Sequence, residues 1–294
     1  MQSNRSARAF GAASLLASLL VLSGAAQAAC PDDAAIDAFL AARASAAPTP
    51  PPVAAGGSMA DALCAQDKIV ARLETDLGPV VGYKAGLTSP RSQEAFGVTE
   101  PVLGTLLEGM ILTGEVTARP AEAVRPLFEA DLIVEIADAA VNEATTPEEV
   151  LAHIAGIRPF LELPALVVGA DDKLDGPAIT SINVGAWKGV MGDLIEIPQG
   201  EEGVAMLADF TAKLTIDATG ETLSEAPGKA VLGHPLNAVT WIAGALKAQG
   251  KALKPGDLVS VGSIGPLHPM KPGLSVTLTY EGLPGTPKLG ARFE

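Results

Sequence analysis

The chain has 294 residues, of which 48% are hydrophobic, and its formal net charge is -14 at neutral pH. A surface this acidic argues against nucleic acids and anionic membranes as partners, because both carry negative charge. The composition is typical of a globular protein with one large domain, or with one domain that carries a helical extension.

The first 28 residues have the pattern of a secretory signal peptide. Arg5 and Arg8 form a basic start, residues 12–22 are apolar, and the tripeptide A-Q-A at 26–28 matches a signal-peptidase site. The apolar segment is too short to span a bilayer, and no later stretch reaches about 18 uninterrupted apolar residues. We therefore expect a periplasmic or secreted protein without a membrane span.

Two cysteines, Cys30 and Cys64, remain after this leader. An oxidising compartment favours a disulfide between them, which would close a loop of about 35 residues. The alternative is a pair of unpaired thiols. A lipid anchor at Cys30 is disfavoured, because Gln27 stands where a lipoprotein signal has an aliphatic residue. The spacing of the two cysteines fits neither a zinc site nor a redox C-x-x-C motif.

Residues 29–78 are predicted to form a helical region with a proline-rich loop. Apolar spacing predicts one helix over 32–46, the proline-rich run that follows ends it, and Ser58 caps a second helix. Residues 79–294 are predicted to form the catalytic domain. It begins with a strand over 80–87 that contains Lys84 between glycines, which permit close approach of another backbone or a ligand.

Three acidic residues give the strongest functional signal. Glu129 and Asp131 alternate with apolar residues, so a strand would point both acids to one face. Glu162 lies in a second apolar run, where a charge is costly unless it is paired or metal-bound. Like charges repel unless a cation lies between them, and Mg²⁺ prefers oxygen ligands. The trio therefore predicts a divalent-metal site; the alternative for Glu129 and Asp131 alone is a solvated strand face.

The remaining elements favour an α+β domain. Thr146, Pro147 and Glu149 predict a short helix that opens with a capping box. His234 precedes a further helix and is interpreted either as its cap or as a substrate contact. Strands outnumber helices without regular βαβ spacing, which predicts a mixed or antiparallel β-core with helices outside. The later predictions are a strand pair over 190–197, a helix over 235–248, and strands over 258–261 and 274–280.

Several motifs occur in the order in which one enzyme family has them. They are G-Y-K-A-G-L-T-S at 82–89, E-x-D at 129–131, Glu162, G-H-P-L-N-A at 233–238, L-K-P-G-D at 253–257 and G-S-I-G-P at 262–266. In these motifs the chain resembles the 2-keto-4-pentenoate hydratase / 4-oxalocrotonate decarboxylase branch of the fumarylacetoacetate hydrolase superfamily. The resemblance covers nearly all of the chain after the leader.

The resemblance implies a fold and a set of site residues. The implied fold is a β-rich roll of mixed sheets with an N-terminal helical region. The implied cofactor is Mg²⁺ or Mn²⁺, and Asp131 would be a shorter substitute for the family's usual glutamate. By matching position, the metal ligands are Glu129, Asp131 and Glu162, the catalytic residue is Lys84, and the substrate contacts are Lys84, Leu87, Gly262 and Ser263.

The implied activity is a metal-dependent lyase that hydrates a small unsaturated 2-keto or 2-hydroxy acid, such as a 2-hydroxy-2,4-dienoate. Decarboxylation of an oxalocrotonate-like acid and C–C hydrolysis of an acylpyruvate are the catalytic alternatives. A third alternative is an exported protein that binds an organic acid without turnover. It arises because polar residues that the hydratases have after the third acid are replaced here by Pro164, Ala165 and Leu166. The resemblance also implies a homo-oligomer.

Overall fold

A computed structural model describes residues 30–294, so the predicted signal peptide lies outside the described residues. The described chain begins with helices α1 (Asp33–Ala44) and α2 (Met59–Leu77). Asp32 and Ser58 cap them, because each side chain accepts a hydrogen bond from a first-turn backbone amide. A disulfide joins Cys30 to Cys64 of α2, which confirms the pairing that the sequence favoured. Both predicted helices are confirmed, and α1 ends two residues earlier than expected.

Strands dominate the rest of the described chain. The remaining strands and α-helices are β1 (Val80–Gly86), α3 (Pro90–Phe96), β2 (Val102–Leu107), β3 (Ile111–Leu112), β4 (Val116–Ala118), β5 (Leu127–Ile136), α4 (Pro147–Leu151), β6 (Ile154–Leu163), α5 (Gly176–Ser181), β7 (Lys188–Met191), α6 (Glu201–Asp209), β8 (Thr211–Ile216), β9 (Thr222–Pro227), α7 (Leu236–Ala248), β10 (Leu258–Ser260), β11 (His268–Pro269), β12 (Ser275–Glu281) and β13 (Lys288–Phe293).

The strands form two mixed sheets. The larger has the order β2-β1-β10-β5-β6-β7-β3, with β11 paired to the start of β5; the smaller has the order β4-β13-β12-β8-β9. Three pairs are parallel, β1 with β10, β13 with β4 and β3 with β7, and the other pairs are antiparallel. Gly82 is required where β1 meets β10, because a Cβ there would lie 1.9 Å from the carbonyl oxygen of Leu258. The predicted mixed-sheet α+β fold is confirmed.

The apolar face of β5 packs into the main core. Phe128, Leu132 and Val134 are fully buried in one cluster with Leu214 of β8 and Leu278 of β12. Burying each such side chain contributes about 1.5–3 kcal/mol. The main core therefore takes up the apolar face of β5, and the opposite face carries the acids.

The N-terminal helices share a core with the strands and helices that follow. Ile36 and Ile69 pack in one apolar cluster with Val102 and Ile179. The buried side chain of Gln66 donates hydrogen bonds to backbone oxygens of β2 and α5, at 2.7 and 3.2 Å. The domain boundary at residue 78 stays a prediction. None of the helices in residues 30–294 combines the length and the hydrophobicity needed to cross a bilayer.

Two local predictions need correction. The strand pair over 190–197 is wrong: only β7 forms there, and Ile195 makes an isolated bridge to Ile157, because the chain leaves the sheet after Gly192. In the capping box at α4, Thr146 accepts from the amide of Glu149 as expected. The Glu149 carboxylate, however, accepts from the amide and hydroxyl of Thr145 rather than from Thr146. The helix predicted over 235–248 and the strands over 258–261 and 274–280 are confirmed to within one residue.

Candidate active site

Strands β5 and β6 bring the acidic residues together on one face of the larger sheet. The antiparallel register places Glu129 directly opposite Glu162, and Asp131 lies two residues further along β5. Their exposed fractions are 5% for Glu129, 0% for Asp131 and 2% for Glu162. This burial rules out the alternative that Glu129 and Asp131 lie on a solvated strand face. Glutamates directly opposite each other repel, so this arrangement requires a nearby positive charge.

Lys84 supplies a positive charge from strand β1. Its side chain is 3% exposed, and its ammonium group donates to Glu162 Oε1 and, at 3.3 Å, to the carbonyl oxygen of Val184. Burial alone would lower the pKa of Lys84, but attraction by Glu162 and Glu129 outweighs it and raises the pKa above its usual value. Lys84 is therefore a cation at neutral pH.

Glu129 and Glu162 each keep one buried oxygen without a hydrogen-bond partner. Burial first, and repulsion by Glu162 second, raise the pKa of Glu129 well above its usual value. A buried carboxylate oxygen without a partner is costly, and a hard divalent cation offers the missing partner. The two glutamates therefore fit a divalent ion.

Asp131 has a different environment. Its Oδ1 accepts hydrogen bonds from the amides of Leu132 and Gly262, at 2.6 and 2.9 Å, and its Oδ2 accepts from Ser260 Oγ at 2.5 Å. Burial and then repulsion by Glu162 raise the pKa of Asp131 to about 7, and the bonds from Ser260 and Leu132 oppose that rise. Within residues 30–294, no three acidic, histidine or cysteine side chains are gathered as a ready ligand set. The assignment of Asp131 as third ligand stays a prediction.

The predicted substrate-contact residues lie on two adjacent turns. Gly262 has φ +101°, and a Cβ there would lie 2.6 Å from Thr88 and 2.7 Å from the carbonyl oxygen of Ala85, so this turn packs tightly against the end of β1. Leu87, also with a positive φ of 58°, is half-buried in that same end of β1. Ser263 donates to the carbonyl oxygen of Gly265 at 2.6 Å and partly opposes the pKa rise of Glu129. The structure therefore brings Leu87, Gly262 and Ser263 into one neighbourhood.

A left-handed turn holds the carbonyl group that Lys84 contacts. Asn183, Val184 and Gly185 have φ values of 55°, 53° and 66°, and this backbone region is unfavourable for a β-branched residue such as valine. The Asn183 side chain holds the turn, because it accepts from the amide of Thr105 at 2.8 Å and donates to its carbonyl oxygen at 2.9 Å. The turn thus directs the Val184 carbonyl oxygen at the ammonium group.

The sequence analysis did not identify two residues beside the acids, and it left the role of a third residue open. Ser260 and Tyr280 reach Asp131 from β10 and β12, and neither strand pattern marks them as site residues. His234 is now assigned: its Nδ1 accepts from the amide of Leu236 at the start of α7, and its Nε2 lies 2.9 Å from the Val204 carbonyl oxygen. Both ring nitrogens serve the structure, so the capping interpretation is confirmed.

A cleft of about 860 Å³ lies elsewhere, between the edges of the two sheets. Its lining includes Arg158, Asp193 and Arg292 but none of the predicted site residues. We place the site at the acidic face rather than in this cleft. The acidic face holds buried charged groups and oxygens without partners, whereas an open polar cleft has no such need for a ligand.

Comparison with known proteins identifies the family of this chain. The model of the fumarylacetoacetate (FAA) hydrolase C-terminal family matches residues 98–288, well over half of the chain. The chain belongs to the fumarylacetoacetate hydrolase family. It is 31% identical over 194 residues to a 2-keto-4-pentenoate hydratase of Paraburkholderia xenovorans, covering 66% of this chain and 70% of that relative. It is 26% identical to a 4-oxalocrotonate decarboxylase of Pseudomonas putida, covering 77% of this chain and 83% of the relative.

Solved structures share their fold with most of this chain. A 4-oxalocrotonate decarboxylase from Pseudomonas putida G7, complexed with magnesium and adipate, superposes with a TM-score of 0.76 at 24% identity, covering 89% of this chain and 96% of that one. The same decarboxylase complexed with calcium and acetate superposes with a TM-score of 0.73. The family fold predicted from the motifs is thereby confirmed.

Proposed function

We propose that the protein is a lyase dependent on Mg²⁺ or Mn²⁺ that adds water to a small unsaturated 2-keto or 2-hydroxy acid, such as a 2-hydroxy-2,4-dienoate. One observation carries the proposal: Glu129 faces Glu162 in a buried site beside Lys84, and each glutamate has an oxygen without a partner. Hydratases among the relatives favour the same activity.

Glu129 and Glu162 would hold the ion, with Asp131 as the third predicted ligand. Held there, a divalent ion would supply Lewis acidity to the negative charge of the substrate. Two buried glutamates supply the negative charge and the oxygen atoms that Mg²⁺ and Mn²⁺ prefer. Calcium or magnesium is present in the two superposed decarboxylase complexes, which supports a divalent ion here.

Lys84 would act on the substrate as a fixed cation and hydrogen-bond donor. In hydration of 2-hydroxypenta-2,4-dienoate, the enol hydroxyl loses its proton and C5 gains one. Water then adds its oxygen to C4, and C3 takes the remaining proton. The ammonium group would stabilise negative charge that develops on the enolate, and the raised pKa of Lys84 supports this role because it keeps the group protonated. Gly262 and Ser263 would line the carboxylate.

The alternatives have less support. Decarboxylation of an oxalocrotonate-like acid uses the same site chemistry and is the second candidate, favoured by the superposed decarboxylase. The two relatives described above are named for lyase activities, which argues against both C–C hydrolysis and binding without turnover.

A metal-depletion experiment tests the proposed function. The protein is stripped of divalent ions, Mn²⁺ or Mg²⁺ is restored, and the absorbance of 2-hydroxypenta-2,4-dienoate is followed. We expect the dienoate absorbance to fall only when metal is present. In Glu162→Gln it should not fall even with metal. Glu135→Gln is the matched control, because Glu135 lies on the same face of β5 but pairs with Arg158 instead. Metal-independent turnover, or equal loss in both variants, would contradict the proposal.

We also propose that the protein is exported. The leader pattern at 1–28 and the Cys30–Cys64 disulfide support this, because disulfides persist in oxidising compartments. The disulfide also uses the Cys30 thiol, which a lipid anchor at that residue would need. Mass spectrometry of the protein from a native cell envelope should find Ala29 as the first residue and no thiol that alkylates without reduction. An intact leader or a lipidated Cys30 would refute this.

The implied homo-oligomer remains a prediction. Light scattering of the purified mature chain, coupled to size-exclusion chromatography, measures the subunit number directly. A molar mass equal to that of a single chain, measured at micromolar concentration, would contradict the predicted homo-oligomer.

A further inference from the structure

The ammonium group of Lys84 has more donors than its protein contacts use. A protonated lysine carries three N–H donors, and within residues 30–294 this one contacts two acceptors, Glu162 Oε1 and the carbonyl oxygen of Val184. One donor is therefore left for a ligand. The direction of that donor depends on the two acceptors, because an ammonium group rotates on a flexible stem.

The path of the Lys84 side chain is confined as well. Lys84 lies opposite Gly104 in the pairing of β1 with β2. A Cβ on Gly104 would lie 2.6 Å from Lys84 Cγ and 3.3 Å from the carbonyl oxygen of Asn183. The lysine stem and the turn at 183–185 therefore lie on one side of β2, against the same glycine. A shift of the turn relative to β2 would move the Val184 acceptor away from the ammonium group.

The turn does not keep its shape by backbone preference. Val184 has φ 53°, which is unfavourable for a β-branched residue, and both of its neighbours also have positive φ values. Its side chain packs on the end of β1, where a Cβ on Gly86 would lie 2.4 Å from Val184 Cγ1. A turn under such strain requires an attachment to the surrounding structure.

Asn183 supplies that attachment at the edge of the larger sheet. Strand β2 is the outermost strand, and the buried Thr105 needs partners for its N–H and carbonyl groups on the side away from β1. The Asn183 carboxamide bonds both groups, at 2.8 and 2.9 Å. A carboxamide can do so because it has an acceptor and a donor side by side, whereas an aliphatic side chain has neither.

We propose that Asn183 is a positioning residue for Lys84: by fixing the turn to β2, it keeps the Val184 carbonyl oxygen on one ammonium donor and leaves another donor for the substrate. The inference rests on the proposed function, in which Lys84 stabilises the enolate. It adds a residue that acts on the reaction through Lys84.

A matched pair of variants tests this role. Asn183→Leu and Gln66→Met each replace a buried amide side chain with an apolar one of similar size, and each removes two hydrogen bonds to backbone groups, in β2 or α5. We expect kcat for 2-hydroxypenta-2,4-dienoate to fall about 100-fold in Asn183→Leu, because a displacement of about 1 Å has such a cost, and by less than about threefold in Gln66→Met. The dissociation constant for Mn²⁺ should stay within about threefold of wild type in both, because neither residue contacts the predicted ligands.

A merely structural role of Asn183 would give a different result. Equal losses of kcat in the two variants, or an unchanged kcat in Asn183→Leu, would overturn the assignment. Asn183→Ala is the second variant if Asn183→Leu does not fold, because its smaller side chain leaves space for water to bond Thr105. Water is not covalently attached to the turn, so the same fall in kcat is expected, and a wild-type kcat in Asn183→Ala would also overturn the assignment.

Crystal structures of the metal-free proteins test the geometry without turnover. In wild type and Gln66→Met, the Lys84 ammonium group should lie within hydrogen-bond distance of the Val184 carbonyl oxygen, and in Asn183→Leu or Asn183→Ala it should not. The same contact in every protein would refute the positioning role. If wild type turned nothing over, the proposed function would fail, and these structures would still decide whether Asn183 positions Lys84.

Discussion

The two ends of strand β5 carry glutamates on the same face, yet their surroundings differ. Glu129 is buried opposite Glu162, whereas the Glu135 side chain is 23% exposed and accepts from Arg158 at 2.7 Å. Ile133 lies between them in an apolar cluster, so the two ends are separate. A buried pair of like charges requires a further cation, while a partly exposed pair of opposite charges requires nothing more.

The difference shows that the partner strand, rather than the acidic strand, gives each glutamate its role. Period-two alternation places both on one face. The register of β6 then sets Glu162 directly opposite Glu129, whereas Arg158 lies opposite Ile133 and reaches Glu135 diagonally. The predictions below test whether the two ends differ in energy as they do in geometry.

The largest effect is expected for Lys84→Met. It leaves Glu162 buried without its cationic partner, so the metal-free protein should lose about 3–5 kcal/mol of stability. The hydration rate should fall by roughly 10²–10⁴-fold. Mn²⁺ should stabilise this variant more than wild type, because an ion would replace the lost positive charge. Urea unfolding with and without Mn²⁺ measures this; unchanged metal-free stability would show that the ion pair is not important at this end.

The second effect concerns ligand-linked stability. With Mn²⁺ at about 100 times its dissociation constant, wild type should gain about 2.7 kcal/mol. Glu129→Gln and Glu162→Gln should gain almost nothing, whereas Glu135→Gln should gain as much as wild type. Calorimetric unfolding temperatures with and without Mn²⁺ give the comparison. Equal gains in all three variants would remove the distinction between the two ends.

The third effect is a pH dependence confined to the buried end. Burial raises the pKa of Asp131 to about 7 and that of Glu129 well above its usual value. A raised pKa means that the folded state binds the proton more tightly, so stability is lost as pH rises from the unfolded to the folded pKa. The metal-free protein should therefore lose stability from about pH 4 to about pH 7.

Urea unfolding in EDTA at pH 5, 6, 7 and 8 measures this dependence. Glu129→Gln should flatten the profile, and Glu135→Gln should leave it unchanged. A metal-free stability that rises between pH 5 and pH 7 would contradict the assignment of the buried acids.

The smallest effect is expected at the exposed end. Glu135→Gln removes a partly exposed ion pair with Arg158, and such pairs contribute about 0–1 kcal/mol. The variant should therefore unfold within about 1 kcal/mol of wild type and keep full activity. A larger loss would mean that Arg158 has a role in the site that its position at this end does not suggest.

Local sequence patterns predicted much of the fold. Alternation in β5, the cap at Ser58, and the embedded Lys84 each depend on neighbours within a few residues, and each was confirmed in the structure. The strand pair over 190–197 failed, because apolar residues after Gly192 find partners outside a sheet.

By itself, the sequence determined which faces are apolar, where the acids and Lys84 lie along the strands, and to which family the motifs are similar. Only the tertiary structure decided that Glu129 opposes Glu162 and that Asp131 is bonded by Ser260 and Tyr280, which are 129 and 149 residues away in the chain. Strand periodicity is local and is written in neighbouring residues. Hydrogen-bond partners this distant depend on sheet register and packing, which no local pattern encodes.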